Sequence, residues 1–179
     1  MGTPREPKPG KYFVALLSSE IDLLSAVEQD LSAVLGAIDG RSGILPWTAS
    51  SFYEKEMGAG LLRRFLSFEP LSSPETLADI KLATQSVEAR YRRALCGGGR
   101  RINLDPGYLE AGKIVLASTK NASQRIYLRG GIFAEATLLY FDAAFHGCAY
   151  TYVDYLWPET LAFFAACRAR YLEQLRRID

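Results

Sequence analysis

"KYFVALLSSEIDLLSAVEQDLSAVLGAI", residues 11–38, changes its hydrophobic period part-way along. Residues 11–18 are almost continuously apolar, the pattern of a strand buried on both faces. From Ile21 onward the apolar residues stand three and four apart, at Ile21, Leu24, Val27, Leu31, Val34 and Ile38. That spacing is one stripe of an amphipathic helix. A buried strand running straight into a helix predicts an α+β protein, and not an all-α one.

The same two periods, followed along the chain, predict strands at 11–18, 62–69, 100–105, 113–119, 124–129 and 132–141. They predict helices at 20–37, 74–95 and 158–177. "SSPE" (72–75) opens the second helix with a serine cap and a first-turn proline, and "CGGG" (96–99) closes it. Pro46 makes "GILPW" an edge strand or an irregular segment. "RRINLDPGYL" (100–109) reads as a strand running into a Pro-Gly turn. The order is β-α-β-β-α-β, then three close strands, then a helix. The first six elements match the ferredoxin-like arrangement. The next three predict an antiparallel meander, giving a mostly antiparallel or mixed sheet with a C-terminal helix. Residues 1–10 are Pro-rich and polar and read as a flexible tail before a single domain, 11–179.

The 179 residues are 49% apolar and 23% charged, with a net charge of +1. This is globular composition, with no long-range field that commits the protein to nucleic acid or membrane. Three cysteines, Cys96, Cys148 and Cys167, stand far apart, and His146 is the single histidine. No zinc spacing exists, and reduced thiols in a cytoplasmic protein are expected. No apolar run approaches a membrane span. GxxxxGK[ST], HExxH and GxSxG are all absent, so no standard phosphate loop, zincin or hydrolase chemistry is announced.

The charge is uneven. Residues 100–129 hold six basic residues (Arg100, Arg101, Lys113, Lys120, Arg125, Arg129) against two acids, Asp105 and Glu110. Inside that segment, "KIVLASTKNASQRIYL" (113–128) sets Lys113, Lys120, Asn121 and Arg125 around two apolar runs. Glu135 then interrupts the apolar strand "GIFAEATLLYF" (131–141). A carboxylate there must be paired, because burying it alone is too costly. Two readings stay open. One is a salt bridge from Glu135 to Arg125 or Lys120 that fixes register. The other is a pocket floor where Lys113, Lys120 and Arg125 bind an anion, with Asn103, Asn121, Asp105 and Glu135 as polar partners. "SSFYEKEMG" (50–58) is flanked by glycine and could close over such a pocket through Tyr53 and Glu56. Glu56, Asp105 and Glu135 are the candidate catalytic acids. Together with a phosphate ligand they could hold Mg²⁺, although no dedicated metal site is predicted.

Several blocks, in order, resemble one bacterial family: "SSFYEKEMG", "RRINLDPGYL", "KIVLASTKN", "RIYLRGGIFAEATLLY" and "YTYVDY". The family is known as domain of unknown function 4416, and the resemblance runs over essentially the whole chain. It implies no activity. Gln124 stands where the family pattern has a histidine, so a mechanism using that histidine would not be available to this chain. The residues themselves favour a protein that binds an anionic small molecule, a nucleotide or a phosphate ester; if it is an enzyme, Mg-assisted phosphoryl or hydrolytic chemistry is expected. The alternatives are a non-enzymatic scaffold or interaction protein and, more weakly, RNA binding through the basic segment and its tyrosines.

Overall fold

The computed structural model describes residues 2–92 and 99–178. Residues 2–9 form no helix or strand. The regular elements are β1 (Gly10–Ser18), α1 (Ile21–Leu35), β2 (Ile38–Arg41), β3 (Leu45–Pro46), α2 (Glu54–Met57), β4 (Leu62–Ser72), α3 (Leu77–Arg90), β5 (Ile102–Leu109), β6 (Lys113–Ser118), β7 (Ile126–Arg129), β8 (Ile132–Phe141), β9 (Ala144–Gly147) and α4 (Pro158–Leu175). Short 3₁₀ turns precede α3 (Pro74–Thr76) and α4 (Val153–Leu156). The expected last turn of the second helix and most of "CGGG" lie outside the described residues.

All strand pairs are antiparallel, in the order β2-β4-β1-β5-β6-β8-β7, with β3 on β4 and β9 on β8. The protein is therefore α+β, with an antiparallel sheet and a C-terminal helix. β1 lies near the middle and is buried along its whole length. Its alternate residues serve two cores. Tyr12, Val14 and Leu16 pack with Leu24, Val27 and Leu31 of α1 and Leu77 and Val87 of α3. Phe13 and Ala15 pack with Phe164, Cys167 and Tyr171 of α4. The sheet is thus covered on both faces, which explains why its central strand reads as an unbroken apolar run.

Several expectations need correction. α1 ends at Leu35, because Gly36 takes φ +89 and its N–H bonds back to Ser32. Ile38 therefore opens β2 instead of continuing the helix. The buried stripe is Leu23, Leu24, Val27, Leu31 and Leu35, while Ile21 and Val34 face outward. Pro106 and Gly107 form no turn. β5 runs through both, pairing Pro106 with Val14 and Gly107 with Phe13 and Leu116. A side chain at Gly107 would meet the Val115 carbonyl and come within 2.6 Å of the Phe13 ring, so glycine lets β6 approach. The three strands 113–118, 126–129 and 132–141 are not a meander. β8 lies between β6 and β7, since it is long enough to pair with both, and β7 forms the exposed end of the sheet.

Candidate functional site

β5 stays paired with β1 from Leu109 down to Ile102, but its ladder with β6 has three pairs and stops at Gly107–Leu116. Beyond that point β6 keeps only its other neighbour, β8, with which it pairs along its whole length from Lys113–Leu139 to Ser118–Phe133. The sheet opens between the two strands. Pro106, which has no N–H to offer a ladder, lies next to that parting. A cavity of about 360 Å³ occupies the gap, within the range of small-molecule sites. Lys81, Gln85 and Glu88 of α3 reach it from one layer, and Asp154 and Tyr155 from the other. Five cations (Arg63, Lys81, Arg100, Lys120, Arg125) and four acids (Glu88, Asp105, Glu135, Asp154) line it.

Arg63 and Asp154 form one buried pair, with side chains 5% and 1% exposed and Nε 3.0 Å from Oδ2. The contact is one of charge, because among the described residues neither of those two atoms forms an aligned hydrogen bond, and Arg63 Nη1 has no acceptor either. The guanidinium lies 4.7 Å from the centre of the Trp47 ring. Burial pushes the Asp154 carboxyl up, against the pull of Arg63. The Tyr155 hydroxyl is also buried without a partner, and burial raises it well above the ordinary tyrosine value.

A second group runs across the parting as a chain of contacts. Lys81 Nζ donates to the Leu104 carbonyl at 2.9 Å and to Asp105 Oδ1 at 3.0 Å. Asn103 Nδ2 donates to Asp105 Oδ2 at 2.6 Å, and Arg100 Nη1 donates to Asn103 Oδ1 at 2.7 Å. Arg100 then grips both oxygens of Glu56, at 2.9 and 2.8 Å. Burial opposes the charge on Asp105, but Lys81, Arg63 and Asn103 outweigh it and hold the carboxyl below its usual range. The Arg100 hydrogen bonds hold Glu56 down at about 2. Glu88 behaves oppositely: burial raises it to about 7, although the Leu104 N–H donates to its Oε1 at 2.6 Å.

The third group contains Glu135. Arg125 donates to its two oxygens at 3.0 and 3.3 Å, and Gln124 Nε2 donates at 2.9 Å. Arg125 also donates to Ser118 Oγ, the Lys120 carbonyl and the Tyr152 hydroxyl. The pair is almost wholly buried, 4% and 2% exposed. Gln124 thus helps to hold the Glu135 carboxylate. Near the mouth, Trp47 packs edge-on to Tyr53 and Tyr53 to Phe52, and Lys120 Nζ stands 4.7 Å over the Phe52 ring.

Of the residues singled out from sequence, Tyr53, Asn103, Asp105, Lys120, Arg125 and Glu135 line this cavity. Lys113 does not; it pairs with Glu110 at 3.2 Å at the β5–β6 turn. Asn121 is exposed beyond the lining. Glu56 stands behind Arg100 and is held by it. Among the described residues no three His, Cys, Asp or Glu side chains gather as a metal site, so Glu56, Asp105 and Glu135 are not a trio. The basic segment is largely neutralised. Arg100 pairs with Glu56, Arg101 with Glu20, Lys113 with Glu110, Arg125 with Glu135 and Arg129 with Asp79. Sequence reading missed Arg63, Lys81, Glu88 and Asp154 as site residues. A usable signal was there: Arg63 alternates with Leu61 and Phe65, and Lys81, Thr84 and Glu88 interrupt the inward stripe of α3.

An antiparallel sheet covered on both faces, parted between two strands onto a cavity of ligand size lined by charged and aromatic side chains, defines an α+β protein with a charged cleft. Within that class the chain belongs to the family described as Domain of unknown function (DUF4416), whose model matches residues 8–171. Comparison with curated proteins and with solved structures returned no match. Among the described residues no helix is long and apolar enough to cross a membrane.

Proposed function

We propose that this protein binds a small phosphate-bearing molecule, a nucleotide or another phosphate ester, in the cleft between β5 and β6. One observation carries the reading: Arg63 is buried at the cavity wall with Nη1 lacking any acceptor among the described residues. A buried guanidinium with an unmatched N–H is costly, and a phosphate oxygen is the acceptor its geometry suits best. Trp47, Phe52, Tyr53 and Tyr152 along the lining favour a ligand with a flat ring, and Lys120 at the mouth adds an exposed cation. The order β5-β1-β4-β2, with α1 and α3 as connections, supports a ferredoxin-like reading of the first half. Cys148 and Cys167 are free thiols, which supports a cytoplasmic location.

The test is a thermal-shift panel of nucleotides and phosphorylated metabolites, with and without Mg²⁺. A ligand at a hundredfold excess over its dissociation constant adds about 2.7 kcal/mol of stability. At least one phosphate ester should raise the melting temperature of the wild type and not that of Arg63→Met. A flat panel overturns the reading. A second reading, an interaction protein, draws on β7, which ends the sheet with Ile126, Tyr127 and Leu128 exposed. Concentration-dependent self-association abolished by Tyr127→Lys would favour it.

A further inference from the structure

We propose that the ligand of this cleft carries an amino group as well as its phosphate, and that Glu88 receives it. The inference rests on the phosphate-binding reading above and specifies the other end of the ligand.

The charges around the cleft are mostly matched within the protein. Glu135 is held by Arg125, Asp105 by Lys81 and Glu56 by Arg100. Two groups are incompletely matched. Arg63, on β4, has its charge met by Asp154 but keeps N–H donors without acceptors among the described residues. Glu88, on α3, is 7% exposed and has no cation within ion-pair distance among the described residues. Its carboxyl takes one hydrogen bond there, from the Leu104 N–H. The two line the same cavity from opposite layers of the sheet. A guanidinium with open N–H groups at one side and a carboxyl without a cation at the other fit one amphoteric ligand, its anion on Arg63 and its amine on Glu88. Gln85, one turn before Glu88 on α3, also lines the cavity and offers an amide oxygen to the same amine.

Burial raises Glu88 to about 7, and the charged groups acting on it are Lys81, Asp105 and Arg100. A bound ammonium would repay the desolvation that holds the carboxyl neutral. The ligand class is therefore a phosphate monoester bearing a primary amine. A plain alkyl phosphate would satisfy Arg63 alone.

The probes are ω-aminoalkyl phosphates of about two to eight methylenes, the span that a cavity of this size admits. Each is compared by calorimetry with the n-alkyl phosphate of equal length. The work is done at about pH 8, where the amine is protonated and Glu88 ionised. At one chain length the amino compound should bind about tenfold or more tightly than its alkyl partner, as for a charge-assisted contact. That ratio should fall towards one in Glu88→Gln, a variant that keeps an oxygen for the Leu104 N–H. Alkyl phosphates that bind while no amino compound does better overturn this inference and leave the phosphate reading standing. A preference that survives in Glu88→Gln also overturns it. If neither series binds, the phosphate reading itself fails and takes this inference with it.

Discussion

Replacing Arg63 with methionine isolates what the buried guanidinium does. The substitution keeps an unbranched side chain against Trp47 and removes the charge and every N–H. Asp154, 1% exposed, is left without its cation. Breaking a buried pair from one side costs about 3–5 kcal/mol, because the stranded charge must be desolvated alone. For a chain of this size that lowers the melting temperature by roughly 10 °C. The double variant Arg63→Met/Asp154→Asn removes the stranded charge and should recover most of the loss. It should not recover all of it, since the guanidinium's contact with Trp47 is worth about 1 kcal/mol. The pH dependence has a definite sign. Asp154 is already raised by burial, and losing Arg63 raises it further. A carboxyl raised in the folded state stabilises least when it is forced to ionise, so the deficit of the single variant grows as pH rises through its folded pKa and shrinks in acid. The assay is urea unfolding of wild type, single and double variants at about pH 5 and pH 8. A single variant within about 1 kcal/mol of wild type at the higher pH, or a double variant no better than the single, would refute the reasoning.

Glu88 makes a separate pH prediction. Its carboxyl titrates near 4.5 when unfolded and near 7 when folded, so the folded state holds the extra proton between those values. Wild-type stability should therefore fall by at most about 3 kcal/mol as pH rises across that window, a slope absent from Glu88→Gln. Parallel melting curves for the two proteins would contradict it. Lys120→Ala should change stability by less than about 1 kcal/mol, because Lys120 is exposed and its one aromatic contact is modest, yet weaken binding of a phosphate ester about tenfold. A loss of about 3 kcal/mol or more in unfolding measurements would instead make Lys120 structural. Gly107→Ala should cost about 1–3 kcal/mol from the clash with β6 and Phe13, read as a lower urea midpoint. An unchanged midpoint would mean that β5 and β6 are not held at close approach.

The elements that announce themselves by period were legible. β1 reads as an unbroken apolar run because both faces of the sheet are covered, and α4 buries a stripe at helical spacing. Pro106 and Gly107 misled for a physical reason. As neighbours they carry the signal of a turn, but each answers a separate demand of the sheet. Pro106 adjoins the place where β5 loses β6, and Gly107 marks where β6 comes close. Ile38 fits the helical stripe by spacing, and only the left-handed Gly36 before it takes it into β2. The placing of β8 between β6 and β7 is set by which long strand can pair on both sides, and short local patterns do not encode that. The Glu135 problem was legible, because a carboxylate in an apolar strand requires a partner, and Arg125 is that partner. Arg63, Lys81, Glu88 and Asp154 come from four separated segments. Each looks ordinary until the parted sheet brings them to one cavity.

The central claim is that the cleft seats a phosphate on Arg63. A crystal structure of the wild type in saturating inorganic phosphate tests it most directly. The account predicts a tetrahedral anion between β5 and β6 with an oxygen about 3 Å from Arg63 Nη1. Ordered water on that nitrogen, with phosphate bound elsewhere or not at all, would contradict it.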